Sequence, residues 1–331
     1  MTEIEVKSYR YLRMTIVVLL VGLGVAVLFQ TWRQDFHLLG SISAYYYTPA
    51  QAIFVGALIG LAACMIALKG TYGAEDLFLN LGGMFAAVVA IVPSTRGEDF
   101  QTAVRACEQQ DAGPLLTEAA SSGIDCPTIQ ALAAATRANV ENNMVTMLVV
   151  GLVGLLVTVA FALVDLRTTR SAARGGVVRE PLVVSRFVGG LVAAVLVWAG
   201  LGTVYLVDTE WFIRWGHYIA AAGLFVCVLV VTVTNAFRRD RKIRSATPEP
   251  SPGRVLIRPP GRLNVYALLA WIMAIGATVM IALWSMDIVT LFWVEIVIGA
   301  LFITFWLVQT VEMLGEESAA ALPEVREPAA A

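Results

Sequence analysis

Residues 288–311 read IVTLFWVEIVIGALFITFWLVQTV and carry a single charged side chain, Glu295. A helix rises about 1.5 Å per residue and the hydrocarbon core of a bilayer is about 30 Å thick, so a helix over this stretch is long enough to cross it. Inside lipid, every backbone N–H and C=O group must find its partner within the chain, as it does in a helix. The stretch therefore predicts a membrane-spanning helix.

Seven similar apolar runs precede this one, and together they predict an all-α, polytopic transmembrane helix bundle with eight spans. The predicted spans lie at about 15–31, 48–68, 77–94, 142–164, 187–207, 215–237, 263–286 and 288–311. Only 15% of the residues are charged, against about 25% in soluble domains. We expect a short N-terminal segment (1–14), a membrane domain (15–311) and a disordered acidic tail (312–331).

Lysine and arginine are unevenly distributed between the two sides of the predicted bundle. Eighteen of the 23 fall on one side, mainly in the loops at 166–186 and 238–262. Cytoplasmic loops are enriched in these residues, so this side is predicted to be cytoplasmic. Eight spans then place both termini in the cytoplasm and the protein in the inner (plasma) membrane. The lipid bilayer is the expected partner, and a net charge of -2 gives no indication of nucleic acid.

The loop at 95–141 is the longest segment between predicted spans, and it lies on the extracytoplasmic side. It contains Cys107 and Cys126, which we expect to form a disulfide because that side is oxidising. Apolar positions recur at helical spacing from Thr128, so a helix is predicted to run straight into the fourth span. The loop forms either a small cover over the outer mouth of the bundle or a solvated connector.

Glu295 is the strongest candidate for a functional group within the spans. Ionisable groups at membrane depth are costly and often functional. A carboxylate there must be neutral, paired or facing water. The alternative is a buried glutamate that hydrogen-bonds to neighbouring helices and serves packing alone.

A second candidate is the polar segment DFHLLGSISAYYYTP at 35–49, which leads into the second span from the outer side. Its candidate ligand-binding residues are Asp35, His37, Ser41, Ser43, Tyr45, Tyr46 and Tyr47. The alternative is an interfacial aromatic belt followed by a helix cap, which accounts for a tyrosine and for Thr48. It accounts less well for three tyrosines together with two serines.

A third group lies around the turn between the fifth and sixth spans and contains Asp208, Glu210 and His217. Glu210 and His217 are further ligand-binding candidates, although an isolated interfacial histidine is usually a hydrogen-bonded structural group. All three candidate groups lie on the predicted outer side. Their convergence predicts a polar cavity that faces outward.

Several short motifs resemble a family of uncharacterised bacterial multi-pass membrane proteins. The family carries a Ser-Ile-Ser-x-Tyr-Tyr motif before its second transmembrane helix. The similar stretches are SISAYYYT at 41–48, FVGAL at 54–58, NL at 80–81, VAIVP at 89–93, WVE at 293–295 and WLV at 306–308. This chain has Gln309 where the family pattern leads us to expect lysine. The resemblance implies a bacterial membrane helix bundle and brings no established activity.

A more distant comparison is the seven-helix membrane hydrolase superfamily that includes the alkaline ceramidases. Those enzymes use a serine, an aspartate and three histidines around zinc. This chain contains two histidines, His37 and His217, so a three-histidine zinc site cannot form within it. A mixed site with Glu295 or Asp35 stays open as an alternative.

The sequence favours a protein that binds or transports a small polar or amphipathic molecule through the outer cavity. The chain contains no P-loop, dinucleotide fingerprint, Cys-x-x-Cys pair or triad spacing. We therefore assign no catalytic residue and expect neither a cofactor nor a metal. Two alternatives remain: an intramembrane hydrolase or transferase acting on lipid, and a membrane scaffold with unknown protein partners.

Overall fold

The computed structural model describes residues 3–70, 73–94, 100, 104–105, 107, 126–173, 181–246 and 264–320. Within these ranges the chain is helical apart from short connections and has no strand, which confirms the predicted all-α class. A short 3₁₀ helix, Ser43–Tyr47, precedes the second helix. The helices are α1 (Glu3–Arg33), α2 (Gln51–Ala67), α3 (Gly73–Ile91), α4 (Cys126–Ala173), α5 (Pro181–Val207), α6 (Thr209–Ala246), α7 (Val265–Ser285) and α8 (Leu291–Ala320).

In the described part of the chain, seven helices are long and apolar enough to cross a membrane, namely α1 and α3 to α8. The remaining helix, α2, is apolar but has only 17 residues, which corresponds to about 25 Å of helical rise. The architecture is therefore that of a multi-pass helical membrane protein. The last helix continues to Ala320, beyond the predicted span boundary at 311, and residues 321–331 of the predicted tail lie outside the described residues.

Six helices form a closed ring. α1 packs against α2, α2 against α3, α3 against α6, α6 against α7, α7 against α8, and α8 returns to α1. The inside of the ring is filled by fully buried side chains, including Ile16, Leu61, Met65 and Met273. Helix association in lipid depends on close packing, because lipid tails are as apolar as the side chains. The ring therefore has a solid apolar centre.

α4 and α5 lie outside this ring. α5 packs against α3 and α6, and α4 packs against α5 and α3. The most apolar part of α4 has no buried residue in the described structure. The continuous helix from Cys126 confirms the prediction that the segment after Cys126 runs directly into the fourth span. Pro127 suits its first turn, where a missing N–H costs nothing.

Local signals fix where several helices begin. Asn264 precedes α7, and its side chain accepts hydrogen bonds from the backbone N–H groups of Tyr266 and Ala267. Asp208 does the same for α6, where its carboxylate accepts from the N–H of Trp211 at 2.9 Å. The start of α6 lies at the same end of the bundle as the start of α4, since Glu210 contacts Arg137. We call this end, which carries the cysteine pair, the disulfide end.

Candidate functional site

Glu295 lies in the second turn of α8 at the disulfide end and receives hydrogen bonds from the segment before the 3₁₀ helix. The hydroxyl of Ser41 donates to both carboxylate oxygens, each at 2.9 Å, and the backbone N–H of Ile42 donates to Oε2. The N–H of Phe292 donates to the carbonyl of Gly40 at 2.8 Å, which holds the same segment against the start of α8. Glu295 thus fixes an irregular segment to a helix.

His217 of α6 is 3% exposed and faces the same carboxylate. Its Nδ1 forms a hydrogen bond of 2.7 Å with the carbonyl oxygen of Val92, at the end of α3. Because a carbonyl only accepts, Nδ1 carries the proton and donates. The other ring nitrogen, Nε2, lies 4.0 Å from Oε1 of Glu295. The imidazole therefore connects α3, α6 and α8 at one point.

Two further serine hydroxyls extend this arrangement toward the loop after α3. The hydroxyls of Ser41 and Ser43 lie 2.6 Å apart, and Ser43 donates to the hydroxyl of Ser94. Ser94 is buried just beyond Pro93, where α3 has ended. We name Ser41, Ser43, Ser94, His217 and Glu295 the serine–glutamate cluster.

The three consecutive tyrosines have different surroundings. Tyr45 is fully buried, hydrogen-bonds to Thr31 of α1 and contacts the ring of Phe292. Tyr46 packs edge-on against Phe54 of α2. Only Tyr47 reaches the serine–glutamate cluster, since its hydroxyl donates to the carbonyl of Ser94 at 2.9 Å. Tyr45 is therefore a core residue, whereas Tyr46 is buried but also lines a small cavity beside Tyr47.

An open cavity of about 550 Å³ lies directly against the serine–glutamate cluster at the disulfide end. Tyr47, Pro93 and Ser94 form one part of its lining, while α4 contributes Thr136 and α6 contributes Trp211. A smaller cavity of about 170 Å³ adjoins it, since Tyr47 and Thr136 line both. The large cavity lies within the volume range of small-molecule sites, about 300–1,000 Å³.

A disulfide between Cys107 and Cys126 confirms the predicted pairing. Cys126 begins α4, so the bond ties the loop after α3 to the start of that helix. Phe100 and Val104 of this loop line the cavity. The described parts of the loop at 95–141 therefore contribute residues to the cavity lining.

The structure divides the remaining predicted site residues between the cavity and the surface. Glu210 lines the cavity, where it pairs with Arg137 at 3.0 Å. Asp35 and His37 are exposed in the turn after α1 and do not line either cavity. Asp35 and Phe36 both have positive φ angles, 51° and 63°, which turn the chain sharply away from the helix. The structure therefore brings Ser41, Ser43, Glu295 and His217 together, although none of the four lines either cavity, and it leaves Asp35 and His37 apart from them.

A second polar cluster lies at the opposite end of the ring. Glu75 is only 2% exposed and accepts a hydrogen bond of 3.1 Å from Asn235 of α6. Nearby, Glu312 of α8 accepts from the hydroxyl of Tyr266 and lies 3.4 Å from Arg238. Glu75 belongs to none of the candidate groups predicted from the sequence. The partner of Glu75, Asn235, is 160 residues away, so no local feature of the sequence predicts this hydrogen bond.

The two polar groups that the sequence did not single out, Ser94 and the carbonyl of Val92, complete the serine–glutamate cluster. A signal for them existed in the proline at position 93, which ends α3 and leaves the preceding carbonyls without helical partners. Within the described residues, no three His, Cys, Asp or Glu side chains converge as metal ligands would. No protein-family model, curated protein or solved structure matches the chain.

Proposed function

We propose that this chain is a membrane protein that binds a small polar or amphipathic molecule in the cavity at the disulfide end. The observation that carries the proposal is the continuity between the cavity and the serine–glutamate cluster. Ser94 lines the cavity and accepts from Ser43, whose neighbour Ser41 is bonded to Glu295. A mixed apolar and polar lining over a rigid polar base is typical of small-molecule sites.

The proposed topology has eight spans, with α2 as the second, and places both termini in the cytoplasm. The uneven distribution of lysine and arginine supports this orientation, since Lys69 follows α2 and the basic segment 238–262 begins in the last turns of α6, both at the end opposite the disulfide. The disulfide supports it independently, because disulfides persist in oxidising compartments. The cavity would then open to the extracytoplasmic side.

Binding is supported more directly than transport. Below the serine–glutamate cluster the ring is filled by large side chains such as Phe305, Trp306 and Met273, all buried to at least 99%. A solute could pass only if the ring helices moved apart. Transport therefore requires a second conformation, whereas binding uses the cavity as it stands.

A hydrolase or transferase that uses one of these serines receives less support. An activated serine normally donates to a general base such as histidine. Here the hydroxyl of Ser41 donates to Glu295, and Nε2 of His217, the ring nitrogen that could act as a base, faces Glu295 at 4.0 Å. In the described part of the chain, no serine hydroxyl is bonded to an imidazole. A scaffold function finds no specific support in the contacts.

Site-directed labelling tests the proposal. Ala133 is half-buried and lines the cavity, so an Ala133→Cys variant in phosphatidylcholine nanodiscs would react with a water-soluble maleimide. The reaction is repeated with single-chain decyl amphiphiles that carry neutral, cationic or anionic head groups. We expect at least one of them to slow the labelling. The reason is that a bound molecule covers the thiol. Labelling is followed by intact-protein mass spectrometry, which also verifies that the disulfide is intact.

The matched control is Ala134→Cys, since Ala134 is the next residue of α4, is exposed and lines neither cavity. Its labelling rate should not change with any amphiphile. Equal slowing at both positions would indicate partitioning into the bilayer. If no amphiphile protects position 133 selectively, the binding proposal is wrong.

A further inference from the structure

The arginines of the cavity indicate which ligand it accepts, an inference that rests on the proposed binding function. Only five of the 23 lysines and arginines fall on the disulfide side of the predicted topology. Three of these five, Arg105, Arg137 and Arg214, line the one cavity. The positive-inside tendency disfavours cations on the outer side, so it does not explain their concentration there.

One of the three arginines is already neutralised. Arg137 donates from Nε to Glu141 at 2.8 Å and from a terminal nitrogen to Glu210 at 3.0 Å. The remaining carboxylate of the lining, Asp208, accepts from the backbone of Trp211 as the cap of α6. The acidic groups of the cavity are thus committed to partners within the protein.

Arg105 and Arg214 differ from Arg137. Both are exposed, both line the cavity, and neither forms an ion pair with a carboxylate among the described residues. They come from different elements, since Arg105 precedes Cys107 in the disulfide loop and Arg214 lies in the second turn of α6. Guanidinium groups bind carboxylate and phosphate oxygens through paired N–H donors.

Two tryptophans flank Arg214 along the chain and supply an apolar surface. Trp211 and Trp215 are one helical turn apart on α6, so they lie on the same face, and both line the cavity. Both are near the start of α6. Tryptophans at the ends of membrane-spanning helices are commonly found at the level of the lipid head groups. A charged group held by arginine would therefore have an apolar wall beside it.

We propose that the ligand is an amphiphile with a single anionic head group, a phosphate or a carboxylate, held by Arg105 and Arg214. Its hydrocarbon chain lies against Trp211 and Trp215. The same chemistry is offered by an anionic phospholipid of the surrounding bilayer and by a free single-chain amphiphile from the aqueous side.

The test uses the Ala133→Cys labelling reaction in phosphatidylcholine nanodiscs. Decyl phosphate and decanoate should slow labelling at concentrations at which decyl maltoside and decyltrimethylammonium have no effect. Replacing part of the phosphatidylcholine with phosphatidylglycerol tests whether an anionic phospholipid of the bilayer is the ligand. Protection by phosphatidylglycerol without added amphiphile identifies a lipid ligand, whereas protection only by decyl phosphate or decanoate identifies a single-chain ligand.

Arg105→Gln and Arg214→Gln should each raise the half-protecting concentration of decyl phosphate by about tenfold, since each removes a charge-assisted contact. Arg214→Lys, which keeps the charge, should retain part of the affinity. The matched control is Arg33→Gln, since Arg33 is exposed at the end of α1 and lines neither cavity. Thermal unfolding of each variant verifies that the fold is intact.

The outcomes separate this inference from the binding proposal beneath it. If decyl maltoside protects as well as decyl phosphate, or if both glutamine variants bind decyl phosphate like the parent, the anionic-ligand inference is wrong and the cavity still binds amphiphiles. If no amphiphile protects position 133, both proposals fail together.

Discussion

Glu295 connects parts of the chain that are far apart in sequence. Its main partner, Ser41, is 254 residues away and lies in the irregular segment before the 3₁₀ helix. A carboxylate at membrane depth is costly unless donors surround it, and here a hydroxyl and a backbone N–H supply them. The residue thus stabilises the irregular segment 40–43 in the position that leads to Ser94 and the cavity.

Glu295→Gln should leave the protein folded in the membrane but lower its melting temperature. The glutamine brings an NH₂ donor to a place where Ser41 and Ile42 already donate, so at least one hydrogen bond is lost and one donor is left unpaired. The expected cost is about 1–3 kcal/mol. Thermal unfolding in nanodiscs measures this change, and the Ala133→Cys assay measures the accompanying loss of ligand protection.

Glu210→Gln is the control for this substitution. Its carboxylate lines the same cavity, but its side chain is 79% exposed, and exposed ion pairs contribute little, about 0–1 kcal/mol. Its melting temperature should stay close to that of the parent. A Glu295→Gln variant that melts at the same temperature as Glu210→Gln would show that the cluster does not stabilise the fold.

At the level of helices, the contact between α2 and α3 depends on glycine. A Cβ atom added at Gly83 of α3 would lie 2.8 Å from the backbone oxygen of Ala62 and 2.6 Å from a side-chain carbon of Ile66. A backbone oxygen cannot move aside without shifting the helix. The two helices therefore approach as closely as they do because position 83 has no side chain.

Gly83→Ala should destabilise the protein by about 1–3 kcal/mol, as overpacking generally does. The comparison is Gly56→Ala in α2, where an added Cβ meets no atom within 4 Å. That second substitution should be neutral or slightly stabilising, because alanine favours helix by up to about 1 kcal/mol over glycine. Thermal unfolding distinguishes them, and equal melting temperatures would contradict the close approach at Gly83.

On the scale of the whole molecule, the proposed topology is tested by three introduced cysteines, at the exposed residues His37 and Lys69 and at the half-buried Ala133. In intact cells, a membrane-impermeant maleimide should label His37→Cys and Ala133→Cys, whereas Lys69→Cys should react only after permeabilisation. His37 and Lys69 lie on either side of α2, so their opposite behaviour would establish that this 17-residue helix crosses the membrane. Labelling of both His37→Cys and Lys69→Cys from outside would mean that α2 does not cross.

The sequence predicts where the helices lie along the chain better than it predicts which helices pack against each other. Long apolar runs identify spans because lipid leaves the backbone no alternative to a helix, and an isolated carboxylate such as Glu295 is conspicuous within such a run. The partners of a polar group depend on which helices lie side by side. The sequence around Ser94 does not indicate that its partner is Ser43. Likewise, the sequence around Glu75 does not indicate that its partner is Asn235.

The segment at 35–49 illustrates the same limit. Composition groups its seven polar candidates, but a turn of two residues with positive φ at Asp35 and Phe36 separates Asp35 and His37 from the rest. The 3₁₀ helix then directs Tyr45 into the core and Tyr47 toward Ser94. The local 3₁₀ geometry, and not composition, decides that Tyr47 lines both cavities, Tyr46 only the smaller one and Tyr45 neither.

The length of α4 has a mechanical consequence. Its 48 residues form one rod of about 72 Å, with the cavity wall at Ala133 and Thr136 near one tip. Close to its midpoint, Trp198 of α5 lies against Gly151 and donates to the carbonyl of Leu148 at 3.0 Å. Between the cavity and this contact α4 also packs against its neighbours through buried residues such as Val140 and Met144, whereas beyond the contact none of its described side chains is buried, so the contact is placed to act as a fulcrum. A molecule that pushes the cavity tip outward would swing the far tip the opposite way, so that occupancy on one face of the bilayer becomes displacement on the other.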